Sequence, residues 1–239
     1  MNRFLFIFIT TILLYSLNSF AETPVEYGVW KGNVELGFVN TTGNTETRTT
    51  NIKAKAETET ENWRHVATYE SLTSSDQGVN TADRYAINGQ SNYKLDKKNF
   101  FFIMLNYEDD QFSGYDYRVT EVIGYGRRVV ENPDVTLDLE IGPGARQSKL
   151  ENGDTENETM VRGAGKLKWK ISKSSTFTED LSVDAGEDST VTKSVSALSA
   201  QINGKLATKI TYTIKNTSDV PLGVEKTDTE TAVTLVYNF

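Results

Sequence analysis

The chain's one histidine, His65, is the only imidazole available for acid–base work, and the absence of cysteine removes any thiol nucleophile, disulfide or Cys-ligated metal. A barrel lipase, deacylase or protease would need His65 beside a Ser or Asp. Its alternation partners are Trp63, Ala67 and Tyr69, which places it on an apolar face, so the expectation is an interfacial histidine and no catalytic residue. The other residues with chemical potential are charged side chains at every second position. Asp138, Glu140 and Arg146 share one face, Glu158, Arg162, Lys166 and Lys168 share another, and Arg118 and Arg128 sit on the segment before them. The facing of Arg118 and Arg128 is ambiguous, because turning them inward turns Glu121 outward. Opposite charges at this spacing are expected to pair across neighbouring strands. No run has the spacing of a Ca²⁺ loop, and no cofactor or metal site is expected.

The elements that position these residues have period two. Val34, Leu36 and Phe38 alternate with polar or small residues, as do Ile52, Ala54 and Ala56; Ile103, Leu105 and Tyr107; Val135, Leu137, Leu139 and Ile141; Val161 to Trp169; and Val233 to Phe239. Such alternation means strands with one apolar and one polar face. Short turns are expected at 96–99, 131–134, 172–175 and 206–209, and long polar connections at 73–81, 110–116, 150–157, 187–190 and 217–227. Thr42-Gly43-Asn44-Thr45 reads as a tight hairpin turn. Asp110, Asp116 and Arg118 are expected to tie the loop around Gly114 to the barrel mouth. Pro143, between Gly142 and Gly144, is expected near the far end of its strand, at a bulge or frayed edge. The count is about twelve strands of roughly ten residues, the length of a tilted membrane-crossing strand.

Arg3, the apolar run Phe4 to Leu17, and Ser19 and Ala21 form a secretory signal peptide over residues 1–21. A leader over 22–29 follows, and the barrel is expected over 30–239. Lys and Arg number 25 against 33 Asp and Glu, for a net charge of −8, which argues against a nucleic-acid partner. A mean hydropathy of −0.45 looks soluble, but in a barrel only alternate residues meet lipid. Trp30, Trp63, Trp169, Phe177 and Phe239 fall at one expected rim, and Phe38, Tyr69, Tyr85 and Tyr107 at the other, as interface aromatics do. The acidic residues concentrate on the expected outer stretches, where they would attract cations. The expected architecture is therefore an all-β, transmembrane, antiparallel up-and-down β-barrel of about twelve strands, facing outer-membrane lipid and lipopolysaccharide. The ending on Phe239 resembles the C-terminal signature that the barrel-assembly machinery reads.

Trp30-Lys-Gly-Asn-Val-Glu-Leu-Gly-Phe-Val-Asn-Thr-Thr-Gly-Asn-Thr45 resembles the opening motif of the YdiY-like family of salt-induced outer-membrane proteins. Tyr107 to Arg118, Gly124 to Arg127 and Gly142 to Arg146 extend the resemblance over the mature chain. It implies an outer-membrane barrel and brings no substrate, cofactor or active site. The reading is a non-enzymatic barrel in the cell outer membrane, either a narrow channel or a structural barrel tied to salt or osmotic stress. A lipid- or lipopolysaccharide-modifying hydrolase and a soluble periplasmic ligand binder are the alternatives. Whether the lumen is an open polar path or a salt-bridged plug is left open, with the filled reading favoured.

Overall fold

The structure is a computed structural model, and it describes residues 27–41, 47–151 and 153–239. The signal segment and the turn at 42–45 lie outside the described residues. Twelve strands follow one another: β1 Trp30–Thr41, β2 Thr47–Glu59, β3 Trp63–Asp76, β4 Val79–Lys94, β5 Asn99–Asp110 and β6 Tyr115–Glu131. Then come β7 Val135–Leu150, β8 Thr155–Lys170, β9 Ser175–Gly186, β10 Thr190–Gln201, β11 Leu206–Thr217 and β12 Thr227–Asn238. Each pairs antiparallel with its sequence neighbours, and β12 closes on β1 from Asn33↔Asn238 to Leu36↔Leu235. Closure leaves no open edge. The strands run from 12 to 17 residues, longer than the ten expected.

Parity assigns the faces. On β5, Phe101, Ile103 and Leu105 point outward and are 53, 61 and 51% exposed, while Phe100, Phe102 and Met104 between them are buried. Ile123 on β6 stands beside Ile103, and Ile141 on β7 beside Tyr125, so the outward residues merge into an apolar band. A contiguous exposed apolar surface of this kind belongs against lipid.

The interior is not uniformly polar. Phe100, Phe102, Met104, Val122 and Met160 form a buried apolar cluster against the inner wall of β5, β6 and β8. Gly124 makes room for it, since a Cβ there would come within 2.7 Å of the Phe102 ring. This part of the lumen is thus packed as a core.

Several connections differ from expectation. The long connection expected at 73–81 is the two-residue turn Gln77-Gly78, with φ of 48° and 79°, and β3 and β4 extend to meet it. The polarity of that stretch comes from strand residues near the barrel end, where both faces meet water. The turn expected at 206–209 lies at residues 202–205, and Leu206 already begins β11. Asn203 Oδ1 accepts from the Lys205 and Leu206 backbone N–H groups and caps the turn. Pro143 stands mid-strand in β7, not at its far end. The β6–β7 ladder lacks pairs between Val122↔Gly144 and Tyr125↔Ile141, where proline has no N–H to give, but its register continues unshifted. With these changes, connection lengths no longer alternate; among the described residues only 218–226, between β11 and β12, make a long loop.

Candidate functional site

The chemistry-bearing residues converge on the lumen. One end of the barrel holds the start of β1 and the connections at 60–62, 95–98, 132–134, 171–174 and 202–205 (the near end); the other holds the remaining connections (the far end).

Towards the near end, Arg128 Nε and Nη2 donate to the two oxygens of Asp138 at 2.8 and 3.1 Å, a forked pair between β6 and β7. Arg64 Nη2 reaches the same carboxylate at 3.5 Å from β3, four strands away around the wall. Beside it, Lys166 Nζ donates to Glu140 Oε1 at 3.0 Å and to Gln90 Oε1 at 2.9 Å, while Gln90 Nε2 donates to Glu140 at 2.9 Å. These bonds join β4, β7 and β8 through one closed triangle. Lys209 Nζ meets Glu35 at 2.8 Å, between β11 and β1. Lys209, on β11, thus points into the lumen.

Towards the far end, Arg146 Nε donates to Glu158 at 2.6 Å, and Nη2 donates to the Ser189 carbonyl at 2.7 Å. The other Glu158 oxygen accepts the Asp188 and Ser189 backbone N–H groups, so this pair pins the 187–189 loop. Arg162 Nη1 donates to both oxygens of Asp184 at 2.7 and 2.8 Å.

Between these levels, ion pairs cross the lumen. Lys215 on β11 bonds Glu108 on β5, six strands away in either direction around the wall. Lys193 on β10 lies 3.8 Å from Glu70 on β3, and Arg84 on β4 bonds Glu230 on β12 at 2.7 Å. Lys53 stands between Glu230 and Glu70 at 3.9 and 4.0 Å. The space left among Glu70, Arg84, Glu108, Lys193 and Lys215 is about 20 Å³, room for one water.

The far end is also covered. A Cβ on Gly114, in the β5–β6 turn, would come within 2.9 Å of Pro221 and 3.2 Å of Val224. Residues 218–226 therefore lie against a turn on the opposite side of the mouth. Lys226 Nζ donates to the Ser218 carbonyl at 2.6 Å and ties the base of this loop.

Of the residues named from sequence, Arg128 with Asp138, Lys166 with Glu140, and Arg146 with Glu158 are brought together; Arg162 takes Asp184 instead. Arg118 and Arg128 face inward, and Glu121 is outward and exposed. Arg118 joins no pair; its guanidinium lies 3.6 Å from the Tyr115 ring centroid. The Gly114 loop is held by Asp110, whose Oδ1 accepts from the Phe112 N–H and whose carbonyl accepts from Ser113 Oγ, without help from Arg118. Sequence reasoning missed Arg64, Glu70, Arg84, Glu108, Lys193, Lys215 and Glu230. The same parity test applied to β3, β4, β5 and β10 to β12 would have placed all of them inside.

On the outer face, Trp30, Trp63, Trp169, Phe177 and Phe239 all lie at the near end. Trp63 packs edge-on to Tyr93 at 5.1 Å, and Tyr107 stacks between Tyr85 and Tyr117 at the far end. His65 stacks on Trp63 at 5.7 Å, and its Nδ1 is 2.9 Å from Ser91 Oγ. That is the spacing of a base and a nucleophile, but the pair stands on the lipid-facing side, and no carboxylate among the described residues orients the ring.

A family model for "Protein of unknown function, DUF481" matches residues 34–239. The uncharacterized protein YdiY of Escherichia coli (strain K12) is 27% identical over 212 residues, covering 87% of this chain and 83% of that protein. Among solved structures, the NanC porin superposes with a TM-score of 0.55 at 13% identity, covering 86% of this chain and 98% of its own. An outer membrane channel from Pseudomonas putida F1 superposes with a TM-score of 0.52 at 9% identity, covering 94% and 100%. These neighbours share the architecture of outer-membrane barrels. With the family model spanning all twelve strands but the first few residues of β1, the chain belongs to the DUF481 family.

Proposed function

We propose that the protein is a narrow, non-enzymatic channel of the outer membrane whose lumen is held shut by ion pairs that cross it. The observation that carries this reading is the Lys215–Glu108 pair, joining diametrically opposite strands, with Lys193–Glu70 and Arg84–Glu230 at the same level. A wall-lining network would leave an axial path; a crossing network closes it. In this orientation the near end faces the periplasm, the signal segment directs export, and the C-terminal strand ending at Phe239 engages the assembly machinery.

The same observation gives the link to salt a physical basis. The longest crossing pair, Lys193–Glu70 at 3.8 Å, is also partly solvated. Partly solvated pairs are weakened by screening, with a Debye length falling from about 10 Å at 0.1 M to about 3 Å at 1 M. Raised ionic strength therefore loosens the constriction. Planar-bilayer recording across a KCl series tests this: conductance rising faster than bulk conductivity supports the reading, and a barrel silent at every salt concentration overturns it in favour of a structural barrel. The apolar cluster around Phe102 supports that second reading, because a packed interior stiffens the wall.

A further inference from the structure

The inward-facing arginines Arg64, Arg84, Arg128, Arg146 and Arg162 each meet a carboxylate. Arg118 meets none. It is 8% exposed, its Nε is enclosed without a partner, and none of its donors makes a hydrogen bond or ion pair with the described residues. Its neighbour across the ladder is Glu108, an apparent partner by register. That carboxylate instead reaches over the lumen to Lys215. The face of the Arg118 guanidinium is covered by Tyr115, and stacking of this kind leaves the in-plane N–H edge free.

An unpaired buried lysine could shed its proton; an arginine cannot, because its pKa lies above about 12. Glu108 is near enough to offset part of this charge, but it is committed to Lys215 and accepts no hydrogen bond from Arg118, so the desolvated N–H edge is left without an acceptor. The constriction holds Lys53, Arg84, Lys193 and Lys215 against Glu70, Glu108, Glu230 and the adjacent Asp110, so these charges balance four to four and Arg118 is the cation in excess.

We infer that Arg118, stacked on Tyr115, is a binding site for a diffusible oxyanion, a carboxylate- or phosphate-bearing small solute, at the outer end of the lumen. The forked edge of the guanidinium matches two oxygens of such a group. The buried hydroxyl residues Thr120, on the same strand face, and Ser148, opposite Arg118 in the β6–β7 register, border the position. The site sets a preference for anions at the outer end of the lumen, opposite to the cation preference that the acidic rim alone would suggest. It does not depend on through-flow, so a barrel that proves non-conducting leaves it standing.

The test uses the full-length folded barrel in detergent micelles, with inorganic phosphate as the probe and chloride at matched ionic strength as the control. The thermal unfolding midpoint, followed by heat-modifiable gel migration, is expected to rise saturably with phosphate and not with chloride. Arg118→Gln should abolish the rise. Arg118→Lys, which keeps the charge and protects the fold, should weaken apparent affinity by about tenfold, because the fork is lost. Acetate displacing phosphate assigns a general oxyanion site; failure of acetate to compete narrows the site to phosphate groups. A midpoint that responds equally in wild type and both variants, or that follows ionic strength alone, overturns the proposal.

Discussion

Asp138 holds two arginines, Arg128 from the neighbouring strand and Arg64 from four strands away, so removing it exposes two charges at once. Asp138→Ala is expected to destabilise the barrel by about 3–5 kcal/mol, the usual cost of stranding a buried charge, measured as a fall in urea midpoint in micelles. Arg128→Lys should cost less, because the charge remains and only the fork is lost. A second carboxylate acts outside the membrane-spanning segments. In the β4–β5 turn, the Asn99 side-chain amide and the Lys98 and Asn99 backbone N–H groups donate to Asp96, and together they hold its carboxyl below the usual range. A group whose native pKa is depressed contributes stability above its unfolded pKa and loses it as pH falls through the native value. Asp96→Ala should therefore lower the urea midpoint at neutral pH, and the gap to wild type should close at pH values below about 3.9. At this scale the sequence was readable in part. Parity put Asp138, Glu140, Arg146, Glu158, Arg162 and Lys166 inside and left the facing of Arg118 and Arg128 ambiguous. It could not show that Arg64 and Gln90 reach them from strands three and four places away, because those contacts depend on the curvature of the barrel. Nor could it show that Glu108, opposite Arg118, is taken by Lys215.

The strands themselves were legible because outward apolar and inward polar residues alternate with little interruption. What the alternation concealed was the inward run Phe100, Phe102 and Met104, which breaks the polar-inside rule. Both faces of β5 are apolar, so hydropathy alone cannot tell wall from lipid side; the glycines of β6 and β7 are the signal that an interior ring lies against them. Gly124→Leu should drive the Phe102 ring off the wall and reduce the heat-modifiable folded fraction, whereas Gly89→Leu, on the outer face with open space around it, should leave it unchanged. The misplaced connections have a related cause. At 73–81 the residues are polar because both faces of β3 and β4 leave the membrane there, and polarity was mistaken for a loop. At 202–205 the turn-forming Asn203-Gly204 was passed over for the residues after it.

Taken as a whole, the molecule is a membrane-facing cylinder with two closures in series: residues 218–226 across the far mouth, and the ion pairs beneath them. Both closures join the same opposite walls, around β5–β6 and β11–β12. Deleting 219–225 removes the first and leaves the second, so access of a small aqueous quencher to the outer lumen should increase while ion conductance changes little. Loss of the ion pairs should do the reverse. The most direct measurement is single-channel conductance of the Glu108→Gln/Lys215→Met double variant, which removes both charges of the principal crossing pair while preserving side-chain length. The account predicts a several-fold higher conductance than wild type at low salt, with the steep salt dependence flattened and heat-modifiable migration retained. A folded double variant as impermeable as wild type would contradict it.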